Sequence, residues 1–254
     1  MHDRRIAVHP ILEKSDEKTV SFIWNGTSLD GRQGEMIASA LFANGIHVFG
    51  RHHKDHSSQG LFCANGQCSQ CMVIADGIPV KACMTPLREK MVVQSVEGLP
   101  KLPDIEEEPT IASPREKTVT VLIIGGGPAG LSAAIELGKL GIDTLIIDDK
   151  DRLGGKLVLQ THKFFGSVED SHAGTRGFEI GHMLEAGLRE LSSVEVWTET
   201  TAVGVFSDGV VGVVRKDVYH LIRPQKLLVT TGAREKMLSF PGNTLPGVYG
   251  AGAF

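Results

Sequence analysis

The spacing of the cysteines is the feature that most restricts how this chain folds. The sequence has four cysteines among 254 residues, and they are Cys63, Cys68, Cys71 and Cys83. Three of them lie in the short loop CANGQCSQC, and this spacing with a later fourth cysteine is typical of plant-type [2Fe–2S] ligation. Gly66 lets the loop turn tightly, and MVIADGIPVKAC predicts a hairpin with an Asp-Gly turn that returns the fourth cysteine. We therefore predict that these four cysteines bind one cluster, which transfers single electrons.

Two other uses of the cysteines fit the sequence less well. A disulfide framework is typical of small secreted domains, whereas this chain starts with the charged MHDRR and shows no apolar signal segment. A structural zinc site usually draws its ligands as CxxC or CxxH pairs, and the gap between Cys63 and Cys68 does not match. Reduced cysteines without an export signal favour the cytoplasm.

Length and charge exclude several classes of function. The chain is long enough for two compact domains, each with its own core. Its net charge of −4 gives no basic excess, so nucleic acid is not expected as a partner. No stretch approaches the apolar length of a transmembrane segment. No Ser-His-Asp or paired-carboxylate pattern supports hydrolysis.

The first part of the chain, residues 1–98, is predicted to form a ferredoxin-like (β-grasp) [2Fe–2S] domain. We expect strands at 19–24 and 91–96 and a short helix at 34–44 that is closed by Gly45. The following residues, 99–117, contain four prolines and a run of three glutamates. This composition predicts a solvated, semi-extended linker.

The second part, residues 118–254, is predicted to form an α/β, Rossmann-like dinucleotide-binding domain. Continuous apolar residues predict a buried parallel strand at 118–124, and a glycine-rich turn and a helix follow. Further elements are expected as a strand at 142–148, a helix at 177–191, and strands at 194–199, 202–207, 210–215, 218–223 and 226–233.

The glycine-rich turn has the context that a dinucleotide fingerprint requires, because it lies between a strand and a helix with an acid at the end of the next strand. Gly125 permits the turn, Gly127 leaves space for a pyrophosphate, and Gly130 lets helix and strand pack closely. Helix amides near Pro128 and Ala129 face the phosphates. We expect Asp148 to accept hydrogen bonds from ribose hydroxyls and to disfavour the 2′-phosphate of NADP.

Several motifs together resemble one family. HPILEK, RHHKDHSSQGLFCANGQCSQC and GGGPAGLSAA…LIID…LGGK are similar to the alpha-subunit family of heterotetrameric sarcosine oxidase, with related opine oxidases, hydrogen cyanide synthase and dye-linked proline dehydrogenases. The resemblance implies a [2Fe–2S] cluster and FAD in one subunit of a hetero-oligomer. It also implies a separate partner subunit, an amine- or amino-acid-oxidising flavoprotein.

The choice of FAD over NAD also depends on resemblance. LGGK after Asp148 and the later strand ending in TTGA resemble the FAD domain of the glutathione and thioredoxin reductase class. The resemblance adds five candidate cofactor residues, which are Gly154, Gly155, Lys156, Thr231 and Gly232.

Two features depart from the family pattern. Ser69 stands where relatives often carry glycine or a basic residue, which is expected to alter hydrogen bonding to the sulfides. The sequence also stops at GVYGAGAF, before the NAD-binding domain and the returning segment of two-domain flavoproteins. We interpret this as truncation and expect NAD(P) only if a further domain is missing.

The remaining candidate residues are assigned less definite roles. The histidines His52, His53 and His56 are expected to form a solvated loop, since no partner ligands are spaced for a metal site. His162 and Lys163 either lie near the flavin or only hold their loop, and Arg176 either binds a phosphate or begins a helix. The tryptophans Trp24 and Trp197 are expected in the cores.

These observations predict an iron–sulfur flavoprotein oxidoreductase, the electron-transfer subunit of an amine or amino-acid dehydrogenase or oxidase. A stand-alone NAD(P)H-dependent FAD oxidoreductase is the first alternative. A non-catalytic iron–sulfur or assembly module without flavin is the second. The substrate and the electron acceptor stay open.

Overall fold

The structure, a computed structural model, describes residues 4–6, 8–11, 18–101 and 112–253. These residues form two compact units. The first unit contains the described residues up to 101 together with those from Arg234 onward, and the second contains residues 112–233. Most of the predicted linker lies outside the described residues. Within the described ranges, no helix has the length and apolar character needed to cross a membrane.

The first unit is a small mixed sheet with one helix across it. Its elements are β1 (Thr19–Trp24), β2 (Thr27–Arg32), α1 (Ile37–Ala43), β3 (Gly50–Arg51), β4 (Ser58–Gln59), β5 (Met72–Ala75), β6 (Ile78–Lys81) and β7 (Val92–Glu97). The strand order is β2-β1-β7-β3-β4, with β5 also pairing with β7 and β6 with β5. The side chains of Ile37 and Leu41 on α1 are fully buried against this sheet, together with Phe22, Trp24 and Phe49.

The second unit is a six-stranded sheet in the order β10-β9-β8-β13-β12-β11. Its elements are β8 (Arg115–Ile124), α2 (Pro128–Lys139), β9 (Thr144–Ile147), α3 (Val168–Ser171), α4 (Gly177–Arg189), β10 (Val194–Trp197), β11 (Thr200–Val205), β12 (Val211–Arg215) and β13 (Val218–Val229). Strands β10, β9, β8 and β13 are parallel neighbours, and β11, β12 and β13 form an antiparallel meander.

Both faces of the central strands are buried, as their continuous apolar sequences predict. On one face, Val121 and Ile123 pack with Leu131 of α2 and Leu188 of α4. On the other face, Leu122 packs with residues of the meander and with Trp197. The carboxyl ends of β8, β9 and β13 therefore meet at one edge of a rigid sheet.

The structure corrects three boundaries predicted from the sequence. Strand β8 begins at Arg115, inside the predicted linker. Helix α1 begins at Ile37, three residues later than predicted, because Gly34 is in a turn with φ of +83°. The two strands predicted at 218–223 and 226–233 are one strand, β13. Pro224 is accommodated because pairing with β12 ends at Ile222 and only β8 continues beside it.

The segment after Ala233 packs with the first unit, although the second domain was predicted to extend to residue 254. The backbone N–H of Gly250 donates to the carbonyl of Phe62 at 3.1 Å. A short 3-10 turn, Ala251–Ala253, follows. This segment therefore lies against the loop that carries the cysteines.

Candidate functional site

A hairpin brings two of the cysteines to the same end of the first unit. Strands β5 and β6 pair in the register Met72↔Lys81, and the turn residues Asp76 and Gly77 have φ of +49° and +85°. This conformation is that of the tight turn predicted from Asp-Gly. Cys71 directly precedes β5 and Cys83 follows β6, and the N–H of Ala82 donates to the carbonyl of Cys71 at 2.9 Å.

The four thiols interact as two pairs. Cys71 hydrogen-bonds with Cys83, and Cys63 with Cys68. The backbone N–H of Cys68 also donates to Sγ of Cys63 at 3.3 Å. Cys63, Cys71 and Cys83 are buried, whereas Cys68 is partly exposed. Cys83 also interacts electrostatically with Cys63, so the two pairs lie near each other.

The environment of each pair favours a thiolate on one member. Hydrogen bonding with Cys83, against an opposing effect of burial, lowers the pKa of Cys71 to about 6. Burial raises the pKa of Cys63, but backbone N–H groups of Asn65, Cys68 and Gln67 outweigh it, so the net shift is downward. Because the thiolate is the form that binds metal, the site is prepared for ligation.

This arrangement fits a [2Fe–2S] cluster, which takes two protein ligands on each of its two irons. Among the described residues, no three His, Cys, Asp or Glu side chains are grouped as a site for a single metal ion. Oε1 of Gln70, inside the cysteine loop, is buried without a partner in the described part of the chain.

Gly66 is a steric requirement of the loop as well as a turn residue. Its φ is +78°, and a Cβ there would stand 2.9 Å from Cγ of Met84. Met84 follows Cys83, and its flexible side chain would have to move to admit a side chain at position 66.

The glycine-rich turn of the second unit connects β8 with α2. Gly125 has φ of +109°, and its N–H donates to the carbonyl of Ile147 at 2.8 Å. A Cβ on Gly130 would stand 2.0 Å from the carbonyl oxygen of Gly125, so helix and turn touch. A Cβ on Gly127 would meet only Cα of Gly155, at 3.9 Å. Space therefore lies beside Gly127, and its use by a pyrophosphate stays a prediction.

The first turn of α2 carries no side-chain cap, and Pro128 and Ala129 at its start are exposed. Its uncapped backbone N–H groups are the donors that a phosphate requires. The double glycine is adjacent to this turn, because the N–H of Gly154 donates to the carbonyl of Gly126 at 2.8 Å. Lys156 follows in a 3-10 turn, Gly155–Leu159, and is exposed.

Asp148 lies at the end of β9, where the sequence predicted it, and it is buried. Its Oδ2 accepts from the N–H of Gly126 at 2.7 Å and its Oδ1 from the N–H of Lys150 at 2.9 Å. Burial raises the pKa of Asp148, although these two backbone N–H groups oppose the shift. Each carboxylate oxygen retains a further acceptor position, so the group can bind a ribose and hold the turn simultaneously.

Sequence reasoning missed Thr230, which directly follows β13 and contacts the turn. Thr230 donates from Oγ1 to the carbonyls of Gly125 and Ile124, at 2.7 and 3.1 Å. The proposed residues Thr231 and Gly232 are exposed one step further on. Parallel pairing of β13 with β8 explains the contact, and that pairing was the missing information.

The remaining candidate residues occupy surface loops. Arg176 directly precedes α4, and its guanidinium donates to the carbonyl of Thr161, so it begins a helix and holds the preceding loop. His162 is exposed and stacks on Phe164 with the ring centroids 5.2 Å apart. In the histidine-rich loop, His52 pairs with Asp55 at 2.8 Å.

Comparison with protein families assigns both units. Residues 17–98 match the 2Fe-2S iron-sulfur cluster binding domain, and residues 119–252 match the pyridine nucleotide-disulphide oxidoreductase family. The domains, and the cofactors [2Fe–2S] and FAD that they indicate, define an iron–sulfur flavoprotein oxidoreductase. Since the second match covers more than half of its length, the chain belongs to the pyridine nucleotide-disulphide oxidoreductase family.

Individual relatives confirm the resemblance seen in the sequence. Sarcosine oxidase subunit alpha of Rhizobium meliloti is 27% identical over 301 residues, which is 92% of this chain and 30% of the relative. Hydrogen cyanide synthase subunit HcnB of Pseudomonas aeruginosa is 31% identical over 131 residues, 50% of this chain and 27% of the relative. The chain thus spans less than a third of these relatives, both of which are subunits of larger enzymes.

A solved structure confirms the predicted fold class. The crystal structure of L-proline dehydrogenase from P. horikoshii superposes with a TM-score of 0.76 and 25% identity. The match covers 94% of this chain and 46% of that one.

Proposed function

We propose that this chain transfers electrons in a dehydrogenase or oxidase complex that acts on an amine or amino acid of the sarcosine, proline or opine type. One observation carries the proposal. The paired thiols and the glycine-rich turn occur in one chain, 94% of which superposes on an L-proline dehydrogenase.

Each unit has a defined task in this proposal. All four cysteines would hold the cluster as thiolates, and the β5–β6 hairpin would keep Cys71 and Cys83 in position. The helix amides of α2 bind the pyrophosphate of FAD, and Asp148 orients a ribose while it holds Gly126. When bound, the two cofactors supply the redox chemistry, and the protein sets their position and environment.

The partner in this proposal is a separate flavoprotein subunit that takes a hydride from the C–N bond of the substrate. The sarcosine oxidase and hydrogen cyanide synthase relatives are themselves subunits, which supports a hetero-oligomer. We place the complex in the cytoplasm, because cysteines that ligate a cluster must stay reduced.

The test begins with the protein as isolated under anaerobic conditions. Iron, acid-labile sulfide and extractable flavin are counted per chain, and two irons, two sulfides and one FAD are expected. The protein is then mixed with co-expressed partner subunit and either sarcosine or L-proline, and bleaching of its visible spectrum is followed. Bleaching by NADH alone would instead favour the stand-alone oxidoreductase. A chain with iron and no flavin would favour the assembly module.

A further inference from the structure

Lys81 connects the hairpin with the middle of the cysteine loop. It is the last residue of β6, two positions before Cys83, and its side chain is half-buried. Its Nζ donates to the carbonyl oxygen of Gly66 at 2.6 Å. This short contact between an ammonium and a backbone oxygen is a charge-assisted hydrogen bond.

The peptide that Lys81 contacts also touches a ligand sulfur. The carbonyl of Gly66 and the N–H of Gln67 belong to one peptide group, and in a trans peptide they point in opposite directions. The backbone N–H of Gln67 faces Cys63 and helps to lower the pKa of that thiol, and it also donates to Oδ1 of Asn65 at 3.3 Å. A cation on the oxygen polarises the peptide and strengthens donation from its N–H, as in other chains of hydrogen bonds.

A second contact acts in the same direction. The backbone N–H of Gly66 faces Cys83 and opposes the rise in the pKa of that thiol, which its contact with Cys71 and burial cause. Lys81 thus holds the carbonyl of Gly66, and the N–H groups on either side of that residue's Cα and carbonyl lie near Cys83 and Cys63. These two sulfurs belong to different thiol pairs.

We propose that Lys81 is a positioning residue that raises the reduction potential of the [2Fe–2S] cluster through the Gly66–Gln67 peptide. The inference rests on the proposed cluster ligands. Reduction adds one electron and no proton, so the site gains one negative charge. Donation to the sulfurs and a nearby ammonium both favour the more negative form, and hydrogen bonds to sulfur are among the known determinants of cluster potential.

The test compares the midpoint potentials of three variants with that of the wild type, by anaerobic titration with dithionite followed by EPR. Lys81→Gln removes the charge, Lys81→Arg keeps it, and Lys18→Gln is the matched control. Lys18 pairs with Glu89 on the surface of the same unit, so its loss changes net charge equally. We expect Lys81→Gln to lower the equilibrium constant for reduction roughly tenfold. For a one-electron step this lowers the midpoint potential by about 59 mV. The other two variants should stay near the wild type.

The outcomes separate this inference from the proposed function. If the wild type does not contain two irons per chain, both the proposed function and the role of Lys81 lose their basis. If Lys81→Gln keeps a full cluster with a wild-type midpoint potential, only the role of Lys81 is overturned. An equal shift in Lys18→Gln would also overturn it, because it would show a general charge effect. If Lys81→Gln does not retain a cluster, Lys81→Arg decides: a wild-type potential supports the inference, and a lost cluster or a shifted potential contradicts it.

Discussion

At the glycine-rich turn, the glycines are required because they have no side chain. Gly130 and Gly125 touch each other's backbone, and no side chain fits between them. Thr230 and Asp148 then supply the polar contacts that hold the turn against two neighbouring strands. The cysteine loop is similar. Gly66 has no side chain that would meet Met84, and Lys81 donates a hydrogen bond to the carbonyl of Gly66.

Replacement of Gly130 by alanine tests the close approach. The new Cβ would stand 2.0 Å from the carbonyl oxygen of Gly125. We therefore expect the free energy of unfolding to fall by about 1–3 kcal/mol and FAD binding to be lost. Urea denaturation and flavin content per chain measure both. Gly187→Ala, on an exposed position of α4 with its nearest neighbour at 3.9 Å, is the control and should be neutral or stabilise by about 1 kcal/mol. Full flavin content in Gly130→Ala would contradict the geometry.

His220 predicts a pH dependence of stability in the second unit. Burial, together with Arg115 and Arg215, lowers the pKa of this histidine, which packs on Trp197. The unfolded chain therefore binds a proton below about pH 6.5 that the folded chain does not, so stability falls as pH decreases through this range.

The His220→Gln variant isolates that effect from other titrating groups. The difference in unfolding free energy between wild type and variant should change between pH 7.5 and 5.5, with the wild type losing more. Urea titrations at the two pH values measure it. A constant difference would show that His220 is protonated equally in both states.

At the scale of elements, the segment after Ala233 covers part of the cysteine loop. Glu235 accepts from the N–H groups of Ala251 and Gly252, at 2.8 and 3.2 Å, while Gly250 donates to Phe62 beside Cys63. The carboxylate thus holds a 3-10 turn against residues that directly precede the first cysteine.

Glu235→Gln tests this covering segment. The neutral amide presents one acceptor in place of two, so amide hydrogen exchange at 250–253 should become roughly tenfold faster. Exchange at 62–65 should also increase. Glu89→Gln, at a surface pair of the same unit, removes an equal charge and should leave these amides unchanged. Unchanged exchange in Glu235→Gln would show that the turn is held by other contacts.

At the scale of the whole molecule, the two units have separate cores. The first is built around α1 and its sheet, and the second around the two faces of the β8–β9 sheet. Each cofactor is therefore expected to depend on its own unit.

Cys68→Ala should remove iron and leave FAD. Cys68 is the partly exposed ligand, so its replacement should cost little folding free energy. Gly130→Ala should show the opposite pattern, with iron retained and FAD lost. Iron and flavin per chain are measured for both variants. Loss of both cofactors in Cys68→Ala would contradict independent units.

Much of the site could be predicted from the sequence because its motifs are local. The cysteine spacing, the Asp-Gly hairpin and the glycine-rich turn each occupy a short stretch, and backbone sterics determine their conformation. The boundaries of β8 and β13 could not, because Arg115 and Pro224 become strand residues only through pairing with distant partners. Propensity alone gives no information about such partners.

The sequence by itself determined which chemistry the chain can hold, two domain types in order, and the residues that form each turn. Only the tertiary structure decided which groups complete those turns: Thr230 and Asp148 on the glycine-rich turn, Lys81 on Gly66, and the segment after Ala233 on the cysteine loop. The physical reason is separation along the chain. Short motifs are specified by local geometry, whereas these contacts form only after the sheets and the hairpin have brought distant residues together.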